Sequence, residues 1–183
     1  MNRNDALTLM YEWTLNESLR KHMLCVETAL RAYAKKFNED EELWEITGLL
    51  HDFDYEKFPN PPDHPLKGSA ILKELGYPDE MRIAILGHAS YTNTPRESRL
   101  AKVLFACDEL CGFIVACSLV KPDKKVASVE VSSVKKKLKD KGFARNVSRE
   151  DIINGANELG VNLDDHIQFV IDALKANANN LGL

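Results

Sequence analysis

A chain of 183 residues, 44% hydrophobic and 28% charged, is long enough to bury a sizeable core and is neither disordered nor fibrous. Its 9 Gly and 7 Pro are too few for a loop-rich β design. With 24 Lys+Arg against 28 Asp+Glu the net charge is −4, so the chain as a whole has no pull toward nucleic acid or an anionic membrane.

Helical signals dominate in chain order. Residues 5–14 read as a short helix. Asn16 is an N-cap for a helix reaching about residue 37, with Leu15, Leu19, His22, Val26, Ala29 and Tyr33 on one stripe. Residues 41–51 follow, with Leu43, Ile46, Leu49 and Leu50 as core positions. The run Phe58-Pro59-Asn60-Pro61-Pro62 stops helical pairing. Pro65, Pro78 and Pro95 each suit a first helical turn, giving helices over about 65–76, 78–89 and 95–120. Residues 130–141, 149–159 and 163–176 complete the set, with Gly142 and Gly160 as C-caps; Val126, Val129 and Val131 could instead start a short extended piece. The expected fold is all-α: one domain over 1–183, with a core over about 17–122 and a helical extension over about 123–183.

Residues 103–120 have the length of a membrane span, but Asp108 and Glu109 near the middle make a buried central helix the better reading. Cys107, Cys111 and Cys117 share that segment, with no loop to staple, and read as reduced core residues. The first residues carry acids and no signal-type apolar stretch, so a cytoplasmic location is expected.

His22, the pair His51-Asp52, His64, His88 and Asp108 carry the chemistry. His22 falls in its helix's apolar stripe, His88 shares a face with Met81, Ala84 and Ile85, and Asp108 shares one with Ala101, Leu104, Cys111 and Val115. Each is therefore predicted to point inward, where an unpartnered polar group costs roughly 2–7 kcal/mol. Imidazole plus carboxylate is a ligand set for Zn, Fe, Mn, Co or Ni, and one or two such ions would satisfy the whole group together. Neighbours on a helix differ by about 100°, so His51 and Asp52 can serve one metal only near a helix end, which the proline-rich segment supplies.

The series His22, Leu49-Leu50-His51-Asp52, His64, His88 and Ala106-Cys107-Asp108 resembles the H…HD…H…H…D pattern of the HD-domain metal-dependent phosphohydrolases, over roughly residues 18–122. That resemblance implies a compact all-α bundle. His64 and His88 resemble the subgroup with two metals, including diadenosine-polyphosphate hydrolases, which carry a similar His-x-x-x-Gly (here His64 to Gly68) and Ile-x-x-His (here Ile85 to His88). Carried over, His22, His51, Asp52 and Asp108 would hold a first metal, and Asp52 would bridge to a second held by His64 and His88. The common HD-x-Gly-Lys variant is not met: Asp54 and Tyr55 stand at the Gly and Lys places, with Lys57 two residues on as a candidate catalytic stand-in beside Asp52. That departure points away from the cyclic-dinucleotide phosphodiesterase branch; Gly76-Tyr77-Pro78 spells part of that branch's motif but reads as a helix end followed by proline.

The implied activity is hydrolysis of a phosphate ester or anhydride, of a nucleotide by preference, through attack of a metal-bound hydroxide. Lys57, Lys67 and Arg96 are the candidate substrate-binding cations, and Asp54 either orients a ligand histidine or caps a turn. The same ligands suit a di-iron oxygenase of this fold, and a third reading is a metal-stabilised nucleotide-binding module without catalysis. Expected partners are a small phosphorylated substrate and neither nucleic acid nor membrane. Residues 121–149 carry 10 Lys+Arg and 3 Asp+Glu, a charge of +7 that leaves −11 for the rest. Within them Lys135, Lys136, Lys137, Lys139 and Lys141 read as the wet face of an amphipathic helix. His166 reads as a surface residue, and Trp13 and Trp44 as packing residues.

Overall fold

A computed structural model describes residues 2–183. Ten α-helices and no strand occur among them, the all-α class that the sequence predicts with one short helix, the last, beyond the nine expected: α1 (Arg3–Trp13), α2 (Glu17–Phe37), α3 (Glu41–Leu50), α4 (Asp63–Glu74), α5 (Asp79–His88), α6 (Arg99–Leu119), α7 (Val131–Leu138), α8 (Arg149–Leu159), α9 (Leu163–Ala176) and α10 (Ala178–Leu181). The chain divides into two compact units, Met1–Phe105 and Ala106–Leu183, with the division inside α6.

In the first unit, side-chain caps set the helix starts. Asn2 and Asp5 form a capping box on α1, Asn16 accepts from the Ser18 and Leu19 amides on α2, and Asp40 accepts from the Leu43 amide on α3. Helix α3 packs on α1, α2 and α5, and α4 packs on α5. At Gly48 a Cβ would lie 2.7 Å from the Glu27 backbone nitrogen, so α2 and α3 touch backbone to backbone there. This fixes the end of α3 against the middle of α2. The unit's core includes Met10, Met23, Val26, Leu30, Tyr33, Leu49, Leu50, Phe53, Leu72, Met81 and Leu100. Leu15, predicted on the α2 stripe, is 72% exposed because it precedes the Asn16 cap.

Two proline predictions shift. Pro65 does not open a helix: His64 has extended dihedrals and the regular turns of α4 begin after Pro65. Helix α6 starts at Arg99, not near Pro95, because Ser98 supplies the cap, its hydroxyl oxygen accepting from the Ala101 amide at 3.1 Å.

The second unit's core is built from Cys107, Leu110, Phe113, Ile114, Ile152, Ala156, Ile167, Val170 and Leu174. Helix α9 packs on α7, α8 and α10. Residues 126–128 form a 3-10 turn where an extended piece was the alternative. Gly160 caps α8 in the left-handed region, as expected. Gly142 caps nothing, because α7 stops at Leu138 with Lys139 as its cap. The cysteines Cys25, Cys107, Cys111 and Cys117 are buried thiols without a disulfide. No helix among the described residues is long and apolar enough to cross a membrane.

Candidate metal centre

Four segments of the first unit carry the histidines and aspartates. His22 stands on the second turn of α2. His51 caps the C-terminus of α3, and Asp52 follows in the turn that replaces the helix, so the helix end required for both to face one centre is present. His64 sits in the extended break before Pro65, and His88 is the last residue of α5. His51, His64 and His88 are buried; the side chains of His22 and Asp52 are 21% and 15% exposed, so the centre is not wholly closed to solvent.

Asp52 is the hub. Its Oδ1 lies 3.2 Å from His64 Nε2 and 3.3 Å from His88 Nε2. Its Oδ2 lies 3.6 Å from His51 Nε2 and 3.9 Å from His22 Nε2. One carboxylate therefore turns one oxygen to each of two histidine pairs. Within the pairs, the Nε2 atoms of His22 and His51 are 3.2 Å apart and those of His64 and His88 are 3.3 Å apart.

The other ring nitrogens say what these contacts are. His51 Nδ1 lies 2.8 Å from the Gly48 carbonyl oxygen, and His88 Nδ1 bonds the Ile85 carbonyl oxygen. His64 Nδ1 lies 2.8 Å from Asp54 Oδ1. Those oxygens only accept, so each Nδ1 carries a proton and Nε2 is the atom turned inward, a bare lone pair wherever the ring is neutral. Lone pairs meeting one another and a carboxylate at these distances call for a cation. Two donor atoms each about 2.1 Å from one ion are about 3.0 Å apart at a right angle and about 3.4 Å apart at the tetrahedral angle. The observed separations fall in that span, so Asp52, His64 and His88 form a group able to hold a divalent ion.

Electrostatics agree. Burial pushes the Asp52 carboxyl up, but the neighbouring His51 charge and the His64 and His88 hydrogen bonds outweigh it and hold Asp52 well below the usual carboxylate range. Burial pulls His64 down, yet its bonds to Asp52 and Asp54 carry it up to about 9. Without an ion, a proton on His64 supplies the missing positive charge.

Asp54 resolves its two expected roles by performing both. Oδ1 holds His64, and Oδ2 accepts from the Gly68 amide at 2.9 Å in the first turns of α4. A Cβ at Gly68 would lie 2.6 Å from the Asp54 carboxyl carbon. That contact is the physical reason for glycine four residues after His64.

The three candidate cations each touch protein groups. Lys57 Nζ lies 3.6 Å above the Trp13 ring. Lys67 Nζ pairs with Asp63 at 3.0 Å and lies over Phe58. Arg96 Nη1 donates to the Gly87 carbonyl at 2.7 Å and stacks on Phe105. Asp108 lies half-buried on α6, in the second unit, on the face with buried Ala101, Leu104 and Cys111. Tyr91 was not singled out in the sequence: its hydroxyl donates to the His64 carbonyl at 2.6 Å, a contact across 27 residues that no local pattern signals. His166 is corrected: it is buried, its Nε2 2.9 Å from the Ala106 carbonyl oxygen. Its acidic neighbours Asp164 and Asp165 serve the Asn162 cap, while His166 follows the inward phase of Val170 and Leu174.

Helices thus position a histidine–aspartate constellation that can take a divalent ion, in an all-α protein. The model of the HD domain family matches residues 19–112, and the chain belongs to that family. Neither a curated protein nor a solved structure matches it.

Proposed function

We propose that this protein is a metal-dependent phosphohydrolase that cleaves a phosphate ester or anhydride of a nucleotide, and that His22, His51, Asp52, His64, His88 and Asp108 hold two divalent ions. The observation that carries the reading is Asp52, one oxygen toward each histidine pair, which suits a carboxylate bridging two ions. Bound there, divalent transition-metal ions supply Lewis acidity and an activated water near neutral pH.

The chain's residues do the rest. The Gly48 and Ile85 carbonyls and Asp54 take the Nδ1 protons and keep three Nε2 atoms turned to the centre. Lys57, Lys67 and Arg96 would offset the charge of the bound phosphate, with Lys57 five residues from Asp52.

The test is metal content of the purified full chain, followed by phosphate release from nucleotides with Mn, Co, Ni, Zn or Fe added. Release that depends on one of these metals is expected. Oxygen uptake with iron and no phosphate release would assign the oxygenase chemistry instead, and metal binding without either reaction would leave a binding module.

A further inference from the structure

Two aromatic side chains at the centre are left over by this reading. Tyr55 is 43% exposed, and its ring stands at 89° to the His64 ring with centroids 5.1 Å apart. Its backbone is tied down, the Tyr55 amide donating to the Asp52 carbonyl at 3.0 Å. Tyr91 is 46% exposed, lies in the 3-10 turn directly after α5, and is pinned through its hydroxyl to the His64 carbonyl. Both tyrosines therefore lean on His64, Tyr55 on its ring and Tyr91 on its backbone carbonyl. Two tyrosines fixed to the backbone of ligand-bearing segments, each with much of its ring open, make a rigid surface that gains by being covered. A flat π system stacks on such rings with little demand on its hydrogen-bonding edge.

We propose that Tyr55 and Tyr91 are specificity-determining residues that hold the aromatic base of the substrate at the His64 side of the centre. A nucleotide is then preferred over the sugar phosphate that lacks the base. The inference rests on the phosphohydrolase reading, and its test separates the two.

The full chain, loaded with the ion that supports phosphate release, is assayed with adenosine 5′-monophosphate and with ribose 5-phosphate. Binding of adenosine and of ribose, neither of which has a phosphate to cleave, is measured by equilibrium dialysis. The wild type is expected to favour the nucleotide in kcat/KM and to bind adenosine in preference to ribose. Tyr55→Ala and Tyr91→Ala are each expected to lower the nucleotide-to-sugar-phosphate ratio by about tenfold, the scale of one base–aromatic stack. Tyr55→Phe and Tyr91→Phe, which keep the rings, are expected to keep most of that ratio, a pattern that a general loss of folding would not give. Equal use of both substrates by the wild type, or alanine variants with an unaltered ratio, overturns the cradle while leaving the hydrolase intact. Adenosine binding that depends on the two rings, with no phosphate released from any nucleotide, overturns the hydrolase and leaves the cradle.

Discussion

His64 and His166 are both buried, one in each unit, and are used in opposite ways. His166 turns one nitrogen to a helix carbonyl, Ala106 O, in a unit where Gly155 also presses on Ala106: a Cβ there would lie 2.6 Å from the Ala106 Cα. It is a packing residue with its polarity satisfied. His64 donates a hydrogen bond from Nδ1 to Asp54 and turns the other nitrogen onto Asp52 and His88. What distinguishes a candidate ligand from a core histidine is thus convergence of unprotonated nitrogens on a shared carboxylate. Burial alone does not decide it.

The sharpest break of this comparison is Asp52→Ala. Removing the carboxylate that faces both histidine pairs leaves two sets of inward lone pairs with no anion between them. Phosphate release is expected to fall to background and bound metal to be lost, read by metal analysis of the purified variant. Full hydrolysis by this variant would remove Asp52 from the centre. His166→Gln is its counterpart: it is expected to cost about 1–3 kcal/mol through the altered bond to Ala106 O while metal content stays at the wild-type level.

Asp54→Asn asks how far the ligands depend on their support. An amide oxygen can still accept from His64 but carries no charge, so metal affinity is expected to fall about 10–100-fold. Gly68→Ala reaches the same carboxylate from the other side, where the added methyl would press on the Asp54 carboxyl group. A calorimetric titration of both variants with Mn²⁺ checks this. Equal affinity in wild type and Asp54→Asn would mean that His64 needs no anchor.

These supports show where the sequence stops being legible. Helical phase suffices for the all-α fold and for the inward placement of His88, because Met81, Ala84 and Ile85 mark its face over two turns. His166 escapes the same logic, since the solvent-facing Asp164 and Asp165 beside it in the first turn of α9 mask that it lies on the inward phase of Val170 and Leu174. The Tyr91 bond to His64 escapes because it joins segments 27 residues apart through a backbone carbonyl, which has no sequence signature. Asp54 was visible as a candidate only in outline: its two partners, His64 and Gly68, become one device once α4 is placed against the turn after Asp52.

The His64 proton offers a pH test. In the ion-free protein its value stands at about 9 against the ordinary 6.5, so the charge it supplies stabilises the fold fully below about pH 6.5 and is lost as pH rises through about 9. The melting temperature of ion-free protein is therefore expected to decline over that window. An ion replaces the proton, so the loaded protein should lack the decline, and ion affinity should rise with pH across it. His64→Gln should remove the pH dependence from the ion-free protein; its persistence would assign the titration to another group.

The smallest expected effect concerns the charge that sets the second unit's 121–149 stretch apart. Lys135 Nζ pairs with Asp164 at 2.6 Å and Lys137 Nζ with Asp140 at 3.5 Å, all four side chains at least a third exposed. Exposed pairs of this kind contribute about 0–1 kcal/mol. Replacing Lys135, Lys136 and Lys137 together by Ala is thus expected to move the melting temperature by a few degrees at most. Their effect on catalysis is read by measuring substrate KM from low to high salt. If the run only solvates α7, the triple variant keeps the wild-type salt slope. A flattened slope would instead show that the basic stretch draws the anionic substrate, and the second unit would join the first in binding it.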